Sequence, residues 1–129
     1  MRLLLDTQIV VAFLEERTGR LRPAIAAALA DPLSNLSVSV ASLWEIAIKT
    51  RLGKLGIAPD LSELPDLLES MRFEILPISA GHVLIEVTPE PPTRDPFDRL
   101  LLAQCFAEDM RLVTLDRALV NHPAAYAPR

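Results

Sequence analysis

The stretch Arg94-Asp95-Pro96-Phe97-Asp98-Arg99 sets two carboxylates and two guanidinium groups directly against the apolar run Leu100-Leu101-Leu102-Ala103. Carboxylates so placed can hold a divalent cation, move a proton, or do no more than start a helix. Helix initiation explains the stretch completely when it is taken alone. Asp95 fits an N-cap, and Pro96 fits the first helical position, where a missing N–H costs nothing. Asp98 then falls at the third position, where its charge complements the positive end of the helix dipole. Other acids have to decide between helix start and chemistry.

Asp6 closes the apolar run Leu3-Leu4-Leu5, and Asp116 closes Leu112-Val113-Thr114-Leu115. Each falls at a strand-to-helix turn, where capping would again account for it. Glu45 stands four residues before Lys49, the spacing of a surface ion pair. Its helix argues for more. On a wheel at about 100° per residue, Ser42, Glu45 and Lys49 form one narrow polar stripe, while Leu43, Trp44, Ala47 and Ile48 fill most of the rest. A freely solvated face would be wider, so the helix is expected to be largely buried, with Glu45 facing a polar cavity. Carboxylates that converge without counter-charge repel, and their pKa values rise until some take up protons. A divalent cation relieves that repulsion. An all-oxygen donor set, with no cysteine or histidine pair at usable spacing, selects Mg²⁺ or Mn²⁺ over zinc. His82 and His122 are far apart in sequence and read as structural or surface residues. Other chemistries lack parts: there is no G-x-S-x-G, no P-loop, no G-x-G-x-x-G and no H-E-x-x-H.

The elements that must position these acids follow from apolar runs and their breaks. Arg2 to Leu5 reads as a strand, and Ile9 to Leu14 as a helix before the break at Glu15 to Gly19. Pro23 to Ala30 is an alanine-rich helix stopped by Asp31-Pro32, Leu36 to Val40 a strand, and Ala41 to Leu52 a helix. Pro59 to Arg72 carries another helix, leading into a strand at Phe73 to Pro77 and a short helix at Ser79 to Val87. The loop Pro89-Glu90-Pro91-Pro92 delivers the chain to a helix running to about Asp109. Arg111 to Leu115 is a last strand, with a short helix after it. Strands alternating with helices imply parallel pairing through right-handed crossovers, hence an α/β fold: a three-layer α/β/α sandwich around a central parallel sheet. Ligands of such sheets collect at the carboxyl ends of the strands, where Asp6 and Asp116 are expected.

With 129 residues the chain suits one domain spanning 1–129. Half of it is apolar and its mean hydropathy is positive, which points to apolar surface covered by a partner or a second copy. The lone Cys105 excludes a disulfide framework and favours a reducing compartment; in its apolar helical setting it reads as a small buried hydrophobe. Asp6 interrupts the first apolar run before a signal-peptide core can form, and no uncharged run is long enough to span a bilayer. A cytoplasmic protein is expected. The net charge of −4 argues against a generic phosphate-coating DNA binder. It does not argue against a nuclease, because an acidic cluster attracts phosphate once cations are bound to it.

In order, Leu3-Leu4-Leu5-Asp6-Thr7, Ser42-Leu43-Trp44-Glu45-Ile46-Ala47-Ile48-Lys49 with Arg51-Leu52-Gly53-Lys54-Leu55, Arg94-Asp95-Pro96-Phe97-Asp98-Arg99-Leu100-Leu101 and Leu112-Val113-Thr114-Leu115-Asp116 resemble the motifs of PIN-domain ribonucleases. The nearest likeness is to the VapC-like toxins of type II toxin–antitoxin systems. Motifs in the right order over nearly the whole chain are far more specific than any one of them. Two positions depart: Gln8 and Thr93 stand where such relatives often carry His. The resemblance implies that Asp6, Glu45, Asp98 and Asp116 are the catalytic and metal-binding acids, with Asp95 an extra acid that caps or supports. It casts Thr7 as orienting a ligand or water, and Lys49, Arg51, Lys54, Arg94 and Arg99 as RNA phosphate contacts. The activity it implies is Mg²⁺-dependent endoribonuclease, hydrolysis by metal-activated water that leaves 5′-phosphate and 3′-hydroxyl ends. The partners it implies are an RNA substrate, an antitoxin protein and a second copy of the chain. Two rivals stand beside it. A catalytically weak RNA- or protein-binding module would want an incomplete acidic set, and a phosphatase would want Asp-x-Asp after the first strand, where Thr7-Gln8 follow Asp6.

Overall fold

The computed structural model describes residues 1–127. Arg2–Leu5 forms β1, and its three leucines are wholly buried. Successive strand residues face opposite sides, so Leu3 and Leu5 enter one core and Leu4 the other. A strand apolar on both faces belongs in the middle of a covered parallel sheet. β1 lies between β2 (Asn35–Ser39) and β4 (Arg111–Val113), and β3 (Glu74–Leu76) lies beyond β2, so the order is β3-β2-β1-β4 with every pairing parallel.

The helices are α1 (Thr7–Leu14), α2 (Pro23–Ala30), α3 (Val40–Arg51), α4 (Leu64–Ser70), α5 (Ala80–Leu84) and α6 (Pro96–Glu108). Ile9 and Val10 of α1, Ile25 of α2, Ile46 of α3 and Leu68 of α4 pack with Leu3, Leu5 and Val38 in one core. Leu101, Leu102 and Cys105 of α6 pack with Leu4, Leu112, Leu119 and Ala124 in the other. This is the expected three-layer sandwich. The chain steps from β1 to β2 and β3 on one side, then crosses back to place β4 on the other side of β1. The neighbouring carboxyl ends of β1 and β4 are therefore the point where strand order reverses, the crevice such sheets use for ligands.

Where elements begin and end differs from expectation for local reasons. α1 starts at Thr7 rather than Ile9 because the Asp6 carboxylate accepts the Thr7 N–H. Val40 belongs to α3 rather than to a strand, since the Ser39 hydroxyl oxygen accepts the Ala41 N–H at 3.0 Å and ends β2. The helix expected over Pro59 to Arg72 is shorter. Leu61–Glu63 is a 3₁₀ turn, and α4 begins around Pro65, which suits a first turn. The helix expected over Ser79 to Val87 contracts to Ala80–Leu84, opened by a capping box between Ser79 and His82. The short helix expected after β4 is absent: residues 117–124 form turns. Pro123 offers no N–H, and the chain is drawn back to the sheet by Leu112 N–H to the Ala124 carbonyl at 2.9 Å and Tyr126 N–H to the Leu112 carbonyl at 2.8 Å.

Trp44 also departs from expectation. The buried residues of α3 are Ala41, Ser42 and Ile46, whereas Trp44 is 60% exposed and makes an edge-to-face contact with Phe97, ring centroids 5.6 Å apart. The apolar arc of α3 is wider than its contact with the sheet. None of the described helices is long and apolar enough to cross a membrane.

Because β1 is covered on both faces, Leu3→Ala and Leu4→Ala should each cost about 2–5 kcal/mol, the usual price of a large-to-small change in a closed core. Urea titration of the two variants checks this, and a cost for one without the other would mean that one face of the sheet is open.

Candidate functional site

Asp6 follows directly from β1 and is 5% exposed. Its backbone N–H continues the ladder to the Val113 carbonyl at 2.9 Å. One carboxylate oxygen accepts the Thr7 N–H at 2.7 Å, and the other accepts the Thr114 hydroxyl at 2.7 Å. Thr114 in turn accepts the Asp116 N–H at 3.0 Å, and Asp116 accepts the Ala118 N–H at 2.9 Å. A single hydroxyl just beyond β4 thus ties the acid after one strand to the acid after the next. On the other flank the Thr7 hydroxyl donates to the buried Ser42 hydroxyl at 2.9 Å, joining α1 to α3. One turn further along α3, Glu45 accepts from Lys49 at 2.7 Å. The surface-pair reading of these residues is right as far as contact goes, but the Glu45 side chain is only 12% exposed.

At the start of α6, Asp95 caps by accepting the Phe97 N–H at 2.9 Å. Asp98, two residues into the helix, is half-buried. Thr93 accepts the Asp95 N–H at 3.1 Å and makes a long hydrogen bond to the Asp98 carboxylate at 3.5 Å. The Thr93 carbonyl accepts Arg99 Nε at 2.8 Å, and Arg99 also pairs with Glu90. Arg99 therefore ties down the proline-rich loop, its guanidinium serving two acceptors. Lys49 is likewise engaged, whereas Arg51, Lys54 and Arg94 are exposed.

The electrostatics show which acids share a field. Asp98 is pushed up from 3.8 to about 7, first by burial, then by the charges of Asp95, Asp6, Asp116 and Glu45. Asp6 is also raised, again first by burial; its bonds from Thr114 and Thr7 oppose this, and Glu45 and Asp116 add to it. Asp6 and Asp98 thus lie in the field of the other sequence-predicted acids, and Asp95 is felt at Asp98. Among the described residues, no three His, Cys, Asp or Glu side chains are drawn close enough to hold a metal ion outright. The donor chemistry nonetheless fits a hard divalent cation: the groups are carboxylate oxygens in excess of positive charge, and one is raised to about 7 by burial and then by its acidic neighbours.

The remaining candidates for chemistry have structural tasks. His82 accepts the Ser79 N–H on Nδ1 and reaches Glu108 through Nε2 at 2.8 Å. His122 accepts the Ala124 N–H on Nδ1 and reaches the Pro89 carbonyl through Nε2 at 2.9 Å. Cys105 is buried, which pushes its thiol up to about 12. Sequence reasoning missed Thr114 and Ser42 as parts of the site. Their signal was a lone hydroxyl inside an apolar strand and a serine on the Glu45 stripe.

The model of the PIN domain family matches residues 3–124. Among solved structures, one similar in fold is the crystal structure of VapBC2 from Rickettsia felis bound to a DNA fragment from their promoter. It is 18% identical, with 97% of this chain and 96% of that one covered at a TM-score of 0.59. No curated protein matches the chain in sequence.

The raised carboxyls fix a sign for stability. Asp98 binds its proton more tightly in the folded chain, so its contribution is fully present below about 3.8 and is lost as pH rises through about 7; Asp6 adds to this in the same direction. In chelator, Asp98→Asn should melt at a higher temperature than the wild type at pH 8, and the gap should close toward pH 4. Parallel melting curves across that range would place Asp98 outside the shared field.

Proposed function

The chain belongs to the PIN-domain family, and from that premise we propose that it is a metal-dependent endoribonuclease, the toxin of a toxin–antitoxin pair, acting in the cytoplasm. The observation that carries the reading is the hydrogen-bonded link from Asp6 through Thr114 to Asp116 where β1 and β4 end, with Asp98 raised by burial and by the charges of Asp6, Asp116 and Glu45. These four would hold the cation, Mg²⁺ or Mn²⁺. When bound, it supplies Lewis acidity, acidifying water and offsetting charge on phosphate oxygens in an in-line displacement.

The protein's own part is positioning. Asp6 is fixed by two donors, and Asp116 by its own cap and by Thr114. The hydroxyls beside Asp6 make poor nucleophiles: Thr7 is committed to Ser42 and Thr114 to the Asp6 carboxylate. That favours water as the attacker, with 5′-phosphate and 3′-hydroxyl products. Water does not need the ribose 2′-hydroxyl, so preference for RNA has to come from shape and from unpaired bases. An antitoxin, and a second copy of the chain, would cover exposed apolar side chains such as Trp44, Leu52 and Leu84. The binding-module alternative lacks its signature, since all four acids are present.

Incubation of the protein with mixed RNA, with and without chelator, tests the activity itself. In saturating Mg²⁺, Asp98→Asn should cut single-turnover cleavage by about a thousandfold, as expected when charge is lost at the reacting centre. Asp95→Asn should lose much less, because Asn caps a helix about as well as Asp. Small, equal losses would mean that both acids only start a helix.

Metal binding has its own readout. Mg²⁺ at about 100 times its dissociation constant should stabilise the wild type by about 2.7 kcal/mol, seen as a higher melting temperature, and Asp6→Asn should abolish most of that rise. An undiminished rise would remove Asp6 from the metal site.

A further inference from the structure

Beside the acids, on the side of α1 and α3, lies a groove of about 400 Å³, within the range of small-ligand clefts. It opens from the site itself: Thr7, next to Asp6, and Lys49, the partner of Glu45, both line it. Its lining sets four cations, Arg17, Arg20, Lys49 and Lys54, and one acid, Glu15, against less exposed apolar residues that include Val11 and Leu55. Lys49 and Arg17 are paired, with Glu45 and Glu15; among the described residues Arg20 and Lys54 make no ion pair. In a chain of net charge −4, a cationic rim around an apolar floor is a local inversion that calls for an anion with an apolar face. An unpaired nucleotide has both.

We infer that this groove is the subsite for the single-stranded nucleotides on one flank of the cleaved linkage, with Arg20 and Lys54 as phosphate contacts and the apolar floor receiving a base. The inference rests on the ribonuclease reading and deepens it. Duplex RNA hides its base faces in the stack, so an apolar floor selects single strands, whereas the rim alone would take either form. The floor has no aromatic ring for stacking, so base preference falls to polar groups. Exposed Gln8, also on the lining, carries an amide donor and acceptor suited to a base edge. Of these cations the sequence pointed to Lys49 and Lys54; Arg17 and Arg20 arrive from the loop and 3₁₀ turn after α1.

The test separates binding from cleavage by working in an Asp98→Asn background in Mg²⁺, with a fluorescent, unstructured oligoribonucleotide of mixed sequence and a duplex RNA of the same length. Arg20→Gln with Lys54→Gln should weaken single-strand binding about tenfold and lower the salt slope by about 1.4, about 0.7 per lost phosphate contact. The control is Arg72→Asn, which removes a cation ahead of β3, at the opposite end of the sheet, and keeps a residue type that tolerates the positive φ there. It should stay within twofold. Duplex binding should be weak in the parent. No binding by the parent, a double variant no worse than the control, or duplex bound as well as single strand would each overturn the inference; in the second case the groove takes another occupant, such as a peptide. If the wild type cleaves no RNA while groove-dependent binding persists, the groove stands as a single-strand binding site and the nuclease reading, with the subsite's place beside a cleaved linkage, falls.

Discussion

One hydroxyl sets the spacing of the site. Thr114 accepts the backbone N–H of Asp116 and donates to the carboxylate of Asp6, so the acids beyond the central and edge strands are linked through a buried three-group relay. The relay depends on register. Leu5 pairs with Val113, which puts Asp6 and Thr114 level with each other as the strands end. A slip of one residue would turn Thr114 to the other face of the sheet and leave the 5%-exposed Asp6 with one donor fewer. The double-sided leucine packing of β1 therefore does more than stabilise the sheet, since it holds the register on which the site is built.

Against that order works repulsion. Asp6 is buried and shares its field with Glu45 and Asp116, and Asp98 feels all three. Buried charge is tolerated only where hydrogen bonds satisfy it, and the structure meets that condition unevenly. Asp6 has a side-chain and a backbone donor. Among the described residues Asp98 has only the long contact from Thr93, itself held by Arg99. The least satisfied acid is thus the one raised to about 7, and the loop bearing its one donor is anchored by an arginine that the sequence had cast as a phosphate contact.

Much of this was legible in the sequence because the core pattern is strong. Leucines buried on both faces of β1 and the alternation of strand and helix specify a covered parallel sheet, and the acids at strand ends follow from it. What was not legible depends on contacts between distant segments. The polar stripe of α3 correctly set Glu45 facing inward, yet the wheel could not show that Trp44 lies outside the contact with the sheet. The segment after β4 mixes helix-forming residues with the turn formers Asn121 and Pro123, and its bonds to Leu112 return it to the sheet. Thr114 carries no sign in the sequence of the two groups it connects.

Helix start and site chemistry, opposed when Asp95 and Asp98 were read alone, turn out to be compatible demands. Asp6 caps α1, Asp95 caps α6 and Asp98 lies in its first turn, while Asp116 caps the turn at Ala118. Peptide N–H groups at these starts present partial positive charge to the acids, which eases their crowding with no side-chain cation in the centre. Glu45 lies in the interior of α3, beyond the reach of such an N-terminus. It is the acid of the set that has its own cation, Lys49. The division is physical: where backbone dipoles face a carboxylate the chain places no paired side-chain cation among the described residues, and where they do not, it supplies a lysine one turn away, on the lining of the adjoining groove.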